Sequence, residues 1–116
     1  MRVEFFKHNI DKSDIKRVER VLGTLFLSTG KDVAAFENEF MERFGSIFYA
    51  RAVASCTAAL HLALQAAGVK ADDEVITTPL SYVATAHAIE YVAAKPVFTD
   101  VDPDTGNMDM NHVEQV

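Results

Sequence analysis

The residues best placed to do chemistry lie at two junctions where an extended run gives way to a helical one. At the first, Val53-Ala54-Ser55-Cys56-Thr57-Ala58-Ala59-Leu60 passes through small polar residues directly into a helix-forming stretch. The first amides of such a helix have no intrahelical acceptor and lie at the positive end of its dipole. Ser55 and Thr57 can cap those amides, or hydroxyls and amides together can hold a phosphate. The cap is the commoner use of so short a pattern, and spacing alone leaves both open. At the second junction, Thr77-Thr78-Pro79-Leu80-Ser81-Tyr82-Val83-Ala84-Thr85 ends one extended run and opens the next helix. In an alternating α/β chain both junctions fall on the carboxyl edge of the sheet, where ligands bind. Tyr82 can there stack on a planar ring, or simply pack beneath its loop.

Other constellations carry less. His8, His61, His87 and His112 share no metal-ligand spacing. His61 falls within an apolar helical run and is expected to be a packed core histidine. A triad of Ser55, His61 and a remote Asp lacks the Gly-x-Ser-x-Gly elbow. Cys56 can be a reactive thiol at a helix start or a small packed side chain, and packing is the expectation. Asp100, Asp102 and Asp104 alternate into a turn, which predicts a solvated turn over a cation site. Lys70 and Lys95 lie away from the carboxyl edge and read as surface charges.

The elements that must position these residues follow from apolar spacing. Ile15, Val18, Val21, Leu22 and Leu25 predict a helix from Ser13, weakened near Gly23. The loop Leu27-Ser28-Thr29-Gly30 follows, then a helix marked by Val33, Phe36, Phe40 and Phe44 and closed by Gly45. Strands are predicted over 49–54, 74–78 and 96–101, with helices over 57–67 and 82–94 between them. Pro79 breaks the second strand, Gly68 stops the helix before it, and Asp102-Pro103-Asp104-Thr105-Gly106 is a turn. Met110, Val113 and Val116 begin one more helical pattern, and the expectation is that the domain runs on past it. Strands alternating with helices predict an α/β layer, largely parallel and covered on both faces. No repeat or Pro/Gly-rich linker marks a domain boundary.

Composition narrows the function class. The 116 residues are 49% hydrophobic and 24% charged, as in a globular domain, and the net charge of −6 leaves no basic stripe for nucleic acid. One cysteine excludes an internal disulfide framework. No run approaches membrane-spanning length, and Met1-Arg2-Val3-Glu4 opens no apolar leader. A cytosolic protein bound to neither membrane nor nucleic acid is expected.

Several runs together closely resemble the DegT/DnrJ/EryC1/StrS aminotransferase family. They are Ser-Cys-Thr-Ala-Ala-Leu-His-Leu-Ala-Leu from Ser55, Asp73-Glu74-Val75-Ile76-Thr77-Thr78-Pro79, Tyr82-Val83-Ala84-Thr85-Ala86 and Ala94-Lys95-Pro96-Val97-Phe98-Thr99-Asp100-Val101-Asp102. Upstream, Leu27-Ser28-Thr29-Gly30 and Phe36-Glu37 are similar to that family's leader. The resemblance implies that residues 1–116 are the N-terminal part of the large three-layer αβα domain of a fold-type-I enzyme dependent on pyridoxal 5'-phosphate (PLP). It implies a homodimer that moves an amino group from glutamate or glutamine to a nucleotide-linked keto-sugar. Thr57 and Ala58 match positions at the cofactor phosphate, in a turn shared with Ser55 and Cys56, and Tyr82 matches the residue stacked on the pyridine ring. Ser28, Thr29 and Gly30 match a loop near the substrate. Cys56 stands where the family has Gly, sometimes Ala or Ser, which crowds the approach to the phosphate. The family's Schiff-base lysine and the Asp that pairs with the pyridine nitrogen are expected beyond Val116. The chain by itself is therefore expected to hold no catalytic residue and to be inactive. A family member that dehydrates sugars, with histidine in place of the lysine, and a remnant or split-gene product that binds a partner chain or a phosphate remain as alternatives.

Overall fold

A computed structural model of the chain describes residues 4, 6–45 and 49–114. The chain forms two compact units, Met1–Ala52 and Val53–Val116. Among the described residues no helix is long and apolar enough to cross a membrane.

The first unit is helical. Asp11 opens α1 (Lys12–Leu22) with a capping box: Ser13 and Asp14 donate their amides to the Asp11 carboxylate, and Asp14 accepts the Asp11 amide at 3.0 Å. The Ser13 hydroxyl, followed by the Asp14 and Ser13 amides, holds the exposed Asp11 carboxyl below its usual value. The helix closes on Gly23, so Leu25 lies beyond it, although its spacing continues the apolar stripe. α2 (Lys31–Arg43) carries the predicted row of rings, with Phe36–Phe40 and Phe40–Phe44 centroids 6.3 and 4.7 Å apart. The guanidinium of Arg20 pairs with Asp32 at the start of α2.

The strand expected over 49–54 does not form. A strand needs a neighbouring backbone, and the only sheet among the described residues pairs Glu74–Thr77 with Lys95–Phe98. The carboxylate of Glu37 takes over part of that role: Ala52 donates its amide to Glu37 Oε1 at 2.8 Å, and Arg51 Nη1 donates to Oε2 at 3.3 Å.

The second unit contains α3 (Cys56–Ala66), β1 (Glu74–Thr77), α4 (Ala84–Tyr91), β2 (Lys95–Phe98) and α5 (Met110–Val113). The strands are parallel, in register from Glu74 opposite Lys95 to Thr77 opposite Phe98, and α4 is the crossover between them. α4 is shorter than its apolar run predicts. Residues 82–83 belong to the entering turn, and Ala93 adopts a left-handed conformation (φ +59°) that turns the chain into β2. β2 ends at Phe98, and Val101 pairs antiparallel with Met108 across the predicted turn instead of extending the strand. Gly68 follows α3 at φ +81°, a conformation that excludes most side chains. Of the apolar pattern leading into α5, Val116 lies outside the described residues, as do Met1, Arg2 and Val3.

The core of this unit is thin. Ala88, Ile89 and Ala94 are buried where α4 meets the strands, with Thr77 and Thr99 beside them. α4 packs on α3 and on both strands, while Ile76 and Phe98 stay 37% and 50% exposed. Leu62, Tyr91 and the α2 phenylalanines are exposed as well. So much uncovered apolar surface favours association. Sedimentation velocity on the purified chain should therefore show self-association that grows with concentration. A clean monomer at the highest concentration would contradict it.

Candidate functional site

Chain connectivity places both junctions on one edge of the sheet. The link from α3 to β1, residues 67–73, is coiled into turns, with Val69 donating its amide to the Leu64 carbonyl at 3.1 Å and Asp73 to that of Lys70 at 3.2 Å. β1 therefore starts close to the C-terminus of α3. α3 packs along α4, the crossover that runs back over β1, and so runs opposite to the strand. Its N-terminus accordingly lies at the carboxyl end of β1. That same end feeds the turn at 78–83 and the start of α4.

At the α3 junction Ser55 is extended (φ −158°, ψ 158°) and its Oγ accepts the Ala58 amide at 3.1 Å. The Ser55 carbonyl accepts the Ala59 amide at 3.1 Å. Ser55 is therefore the cap, and Thr57 is not. The amides of Cys56 and Thr57 and the Thr57 hydroxyl have no acceptor among the described residues. Two open amides, a hydroxyl and the positive end of an eleven-residue helix form a donor set that fits a phosphate. Cys56 is not the packed side chain expected of it: its thiol is free and exposed at the first position of α3, beside those amides. The Ala58 amide, in contrast, is already spent on Ser55, so it cannot serve an anion without releasing the cap.

At the second junction Tyr82 is 80% exposed, and its ring pairs with no other ring among the described residues. Hydrogen bonds hold the turn that carries it. Thr85 donates its amide to the Tyr82 carbonyl at 2.9 Å, and Leu80 donates to Thr78 Oγ1 at 3.2 Å. Ser81 Oγ and Thr85 Oγ1 lie 2.8 Å apart. Neither Ser81 nor Thr85 stood out from sequence, although hydroxyls four apart at a helix start were the available signal. Thr99 also reaches this edge, donating its amide to Thr77 at 2.9 Å. Its hydroxyl is buried without a partner among the described residues. Being closed to solvent, that hydroxyl belongs to the packing of the strand end and not to a ligand site.

The substrate-loop candidates Ser28, Thr29 and Gly30 belong to the first unit. Thr29 adopts a left-handed conformation (φ +51°). A Cβ at Gly30 would meet the Phe26 carbonyl at 2.9 Å, so the position requires glycine. Thr29 and Gly30 border a groove of about 590 Å³ that Arg20 and Thr24 also line. Sequence reasoning passed over both of those residues, because each sits in an ordinary helix-end position.

The remaining candidates fall where chemistry is weak. Lys95 opens β2 at the amino edge, its Nζ 3.6 Å from Asp72, and Lys70 precedes β1. His61 is not a core residue. Its Nε2 lies 3.1 Å from Gln65 Nε2 and its ring packs edge-on to Tyr91 at 5.7 Å, half-buried because α4 is the main element packed on α3 among the described residues. His87 touches the same ring at 6.3 Å. No group of three His, Cys, Asp or Glu that could hold a metal occurs among the described residues. Asp102 spends its carboxylate on its own turn, accepting from the Asp104 and Thr105 amides and the Thr105 hydroxyl. These bonds, the Thr105 amide foremost, hold its carboxyl below the usual value. Its contribution to the turn is therefore present above the ordinary carboxylate range and is lost as pH falls through the lowered value.

The sequence matches the pattern of the DegT/DnrJ/EryC1/StrS aminotransferase family over residues 8–116. The chain belongs to that family. It is 47% identical over 100 residues to the spore coat polysaccharide biosynthesis protein SpsC of Bacillus subtilis (strain 168), covering 86% of this chain and 25% of SpsC. It is 42% identical over 92 residues to the GDP-perosamine synthase of Escherichia coli O157:H7, covering 79% of this chain and 25% of that enzyme. A solved Streptococcus pneumoniae protein described as a sugar aminotransferase, in its PLP form, superposes with a TM-score of 0.82 at 31% identity, over 92% of this chain and 27% of that one. The chain thus spans about a quarter of the length of these relatives. Its fold is the N-terminal part of the fold-type-I architecture they share.

The cap geometry separates two neighbours in the turn. Ser55→Ala should lower the stability of the unit by about 1 kcal/mol through loss of the cap. Thr57→Val should leave it nearly unchanged. Urea denaturation of the two variants checks this, and equal losses would contradict the assignment of Ser55 as the cap.

Proposed function

We propose that this chain is the N-terminal part of the large domain of a PLP-dependent aminotransferase acting on a nucleotide-linked keto-sugar. One observation carries the reading. Open amides and a hydroxyl begin α3 on the same sheet edge that presents the exposed ring of Tyr82. PLP, when bound, supplies the electron sink for amino transfer. In this reading the Cys56 and Thr57 amides and the Thr57 hydroxyl donate to its phosphate, and the α3 dipole favours the negative charge. Ser55 holds the turn by capping the Ala58 amide. The small side chain of Ala58 leaves room for close approach. The Tyr82 ring covers one face of the pyridine and shields it from water. Ser28, Thr29 and Gly30 border the substrate, glutamate or glutamine gives the nitrogen, and the active assembly is a homodimer. The exposed thiol of Cys56 is in keeping with a reducing cytosol.

The test is PLP affinity together with apo melting temperature for three variants of the full-length polypeptide. Tyr82→Ala should weaken PLP binding several-fold, since ring stacking contributes on the order of 1 kcal/mol beyond burial. Tyr82→Phe should be nearly silent, because stacking needs the ring and not the hydroxyl. Thr57→Val should cost roughly 1.5–3 kcal/mol of binding through one charge-assisted hydrogen bond. Unchanged affinity in Tyr82→Ala would overturn the stacking assignment.

A further inference from the structure

Tyr82 poses a mechanical problem. A ring that is 80% exposed and paired with no other ring among the described residues is not held by packing, so its placement depends on the turn beneath it. Two residues of α4 fasten that turn: His87 donates its amide to the Val83 carbonyl at 3.1 Å, and Thr85 engages the residues around the ring itself. Thr85 donates its amide to the carbonyl of Tyr82 at 2.9 Å, while its Oγ1 meets the hydroxyl of Ser81, the preceding residue, at 2.8 Å. The two bonds bracket Tyr82 on both sides. Thr85 itself is half-buried near the start of α4, a turn ahead of Ala88 and Ile89, which are 1% and 3% exposed. On the other flank Pro79 fixes its own φ, and Leu80 is tied to Thr78 Oγ1. The Ser81–Thr85 bond thus extends the order of the packed helix into an otherwise solvent-facing turn.

We infer that Thr85, through its hydroxyl bond to Ser81, is the positioning residue that presents the Tyr82 ring to a planar ligand. The inference rests on the stacking role given to Tyr82 above. A ring already held in its bound orientation loses less freedom when the ligand arrives, and that saving appears as affinity. The Thr85 amide bond to the Tyr82 carbonyl survives any side-chain change, so the hydroxyl can be tested by itself.

The experiment is a mutant cycle on the full-length polypeptide with PLP as the probe and its dissociation constant as the readout. Thr85→Val removes the hydroxyl and keeps the branched shape, and should raise the constant roughly three- to tenfold, the effect of one neutral hydrogen bond. Thr85→Ser should restore it to within about twofold of the parent. In a Tyr82→Ala background, Thr85→Val should change the constant by less than about twofold, because its effect passes through the missing ring. A purely structural threonine would instead weaken both backgrounds equally, and that result would overturn the inference. It would also fall if Thr85→Val left affinity unchanged while Tyr82→Ala lowered it, with the stacking assignment still standing. If Tyr82→Ala has no effect, both fall together. Should Thr85→Val fail to fold, Ser81→Ala on the exposed turn breaks the same bond and is read in the same way.

Discussion

The parallel pairing of β1 with β2 sets the terms for everything else in the second unit. Two strands running the same way cannot be joined by a tight turn, so the chain must return through a helix, and α4 is that return. The crossover forces the turn after β1 to the carboxyl edge, and Tyr82 goes with it. The link from α3 into β1, coiled into turns, keeps the end of α3 by the start of β1 and so sends the start of α3 to the same edge. Residues that are 25 or more positions apart in sequence therefore share an edge for reasons of connectivity, before any side chain is considered. α4 also supplies most of the buried core, through Ala88 and Ile89, so the element that closes the crossover also anchors the turn that carries Tyr82.

Much of this was legible in the sequence, because punctuation and period are local signals. Gly45 and Gly68 stop their helices as expected, Pro79 ends its strand, and Asp102 to Gly106 forms its turn. The two junctions that could hold a ligand were readable for the same reason, since small polar residues at a strand-to-helix change are visible without knowing the fold. What failed depended on partners that no local window contains. Residues 49–54 have strand-like composition, but a strand exists only against another backbone, and here Glu37 receives the Ala52 amide. His61 looked buried because its helix is apolar, yet among the described residues α3 is packed chiefly against α4 and its other faces stay open. The ends of α4 moved inward because apolar periodicity continues through Val92 to Ala94, while the backbone has already turned at Ala93.

The start of α3 shows how capping and ligand binding divide one set of donors. By sequence pattern both Ser55 and Thr57 can cap. The backbone decides between them: Ser55 is extended and reaches the Ala58 amide, whereas Thr57 is already inside the helix. Capping and anion binding are therefore not rival uses of this turn. The cap takes the third amide and stabilises the helix, and the first two amides stay open. Cys56 fits the same scheme. Its side chain is larger than that of glycine, yet the open donors here belong to the backbone, and a substitution at that position leaves their number unchanged.

The exposure of Tyr82 follows from the same division of labour. A large aromatic ring on a turn gives up burial energy in the free protein, on the order of 1–3 kcal/mol for a side chain of this size. That loss is tolerable in a unit whose buried side chains are mostly small only if something else holds the turn. Here hydrogen bonds do so: the Thr78 hydroxyl accepts on one side, and the Thr85 amide and hydroxyl engage on the other. The order of the turn is thus independent of what the ring touches, and the ring face is left free for a planar partner. A tyrosine tucked under its loop would have been stabler and chemically idle.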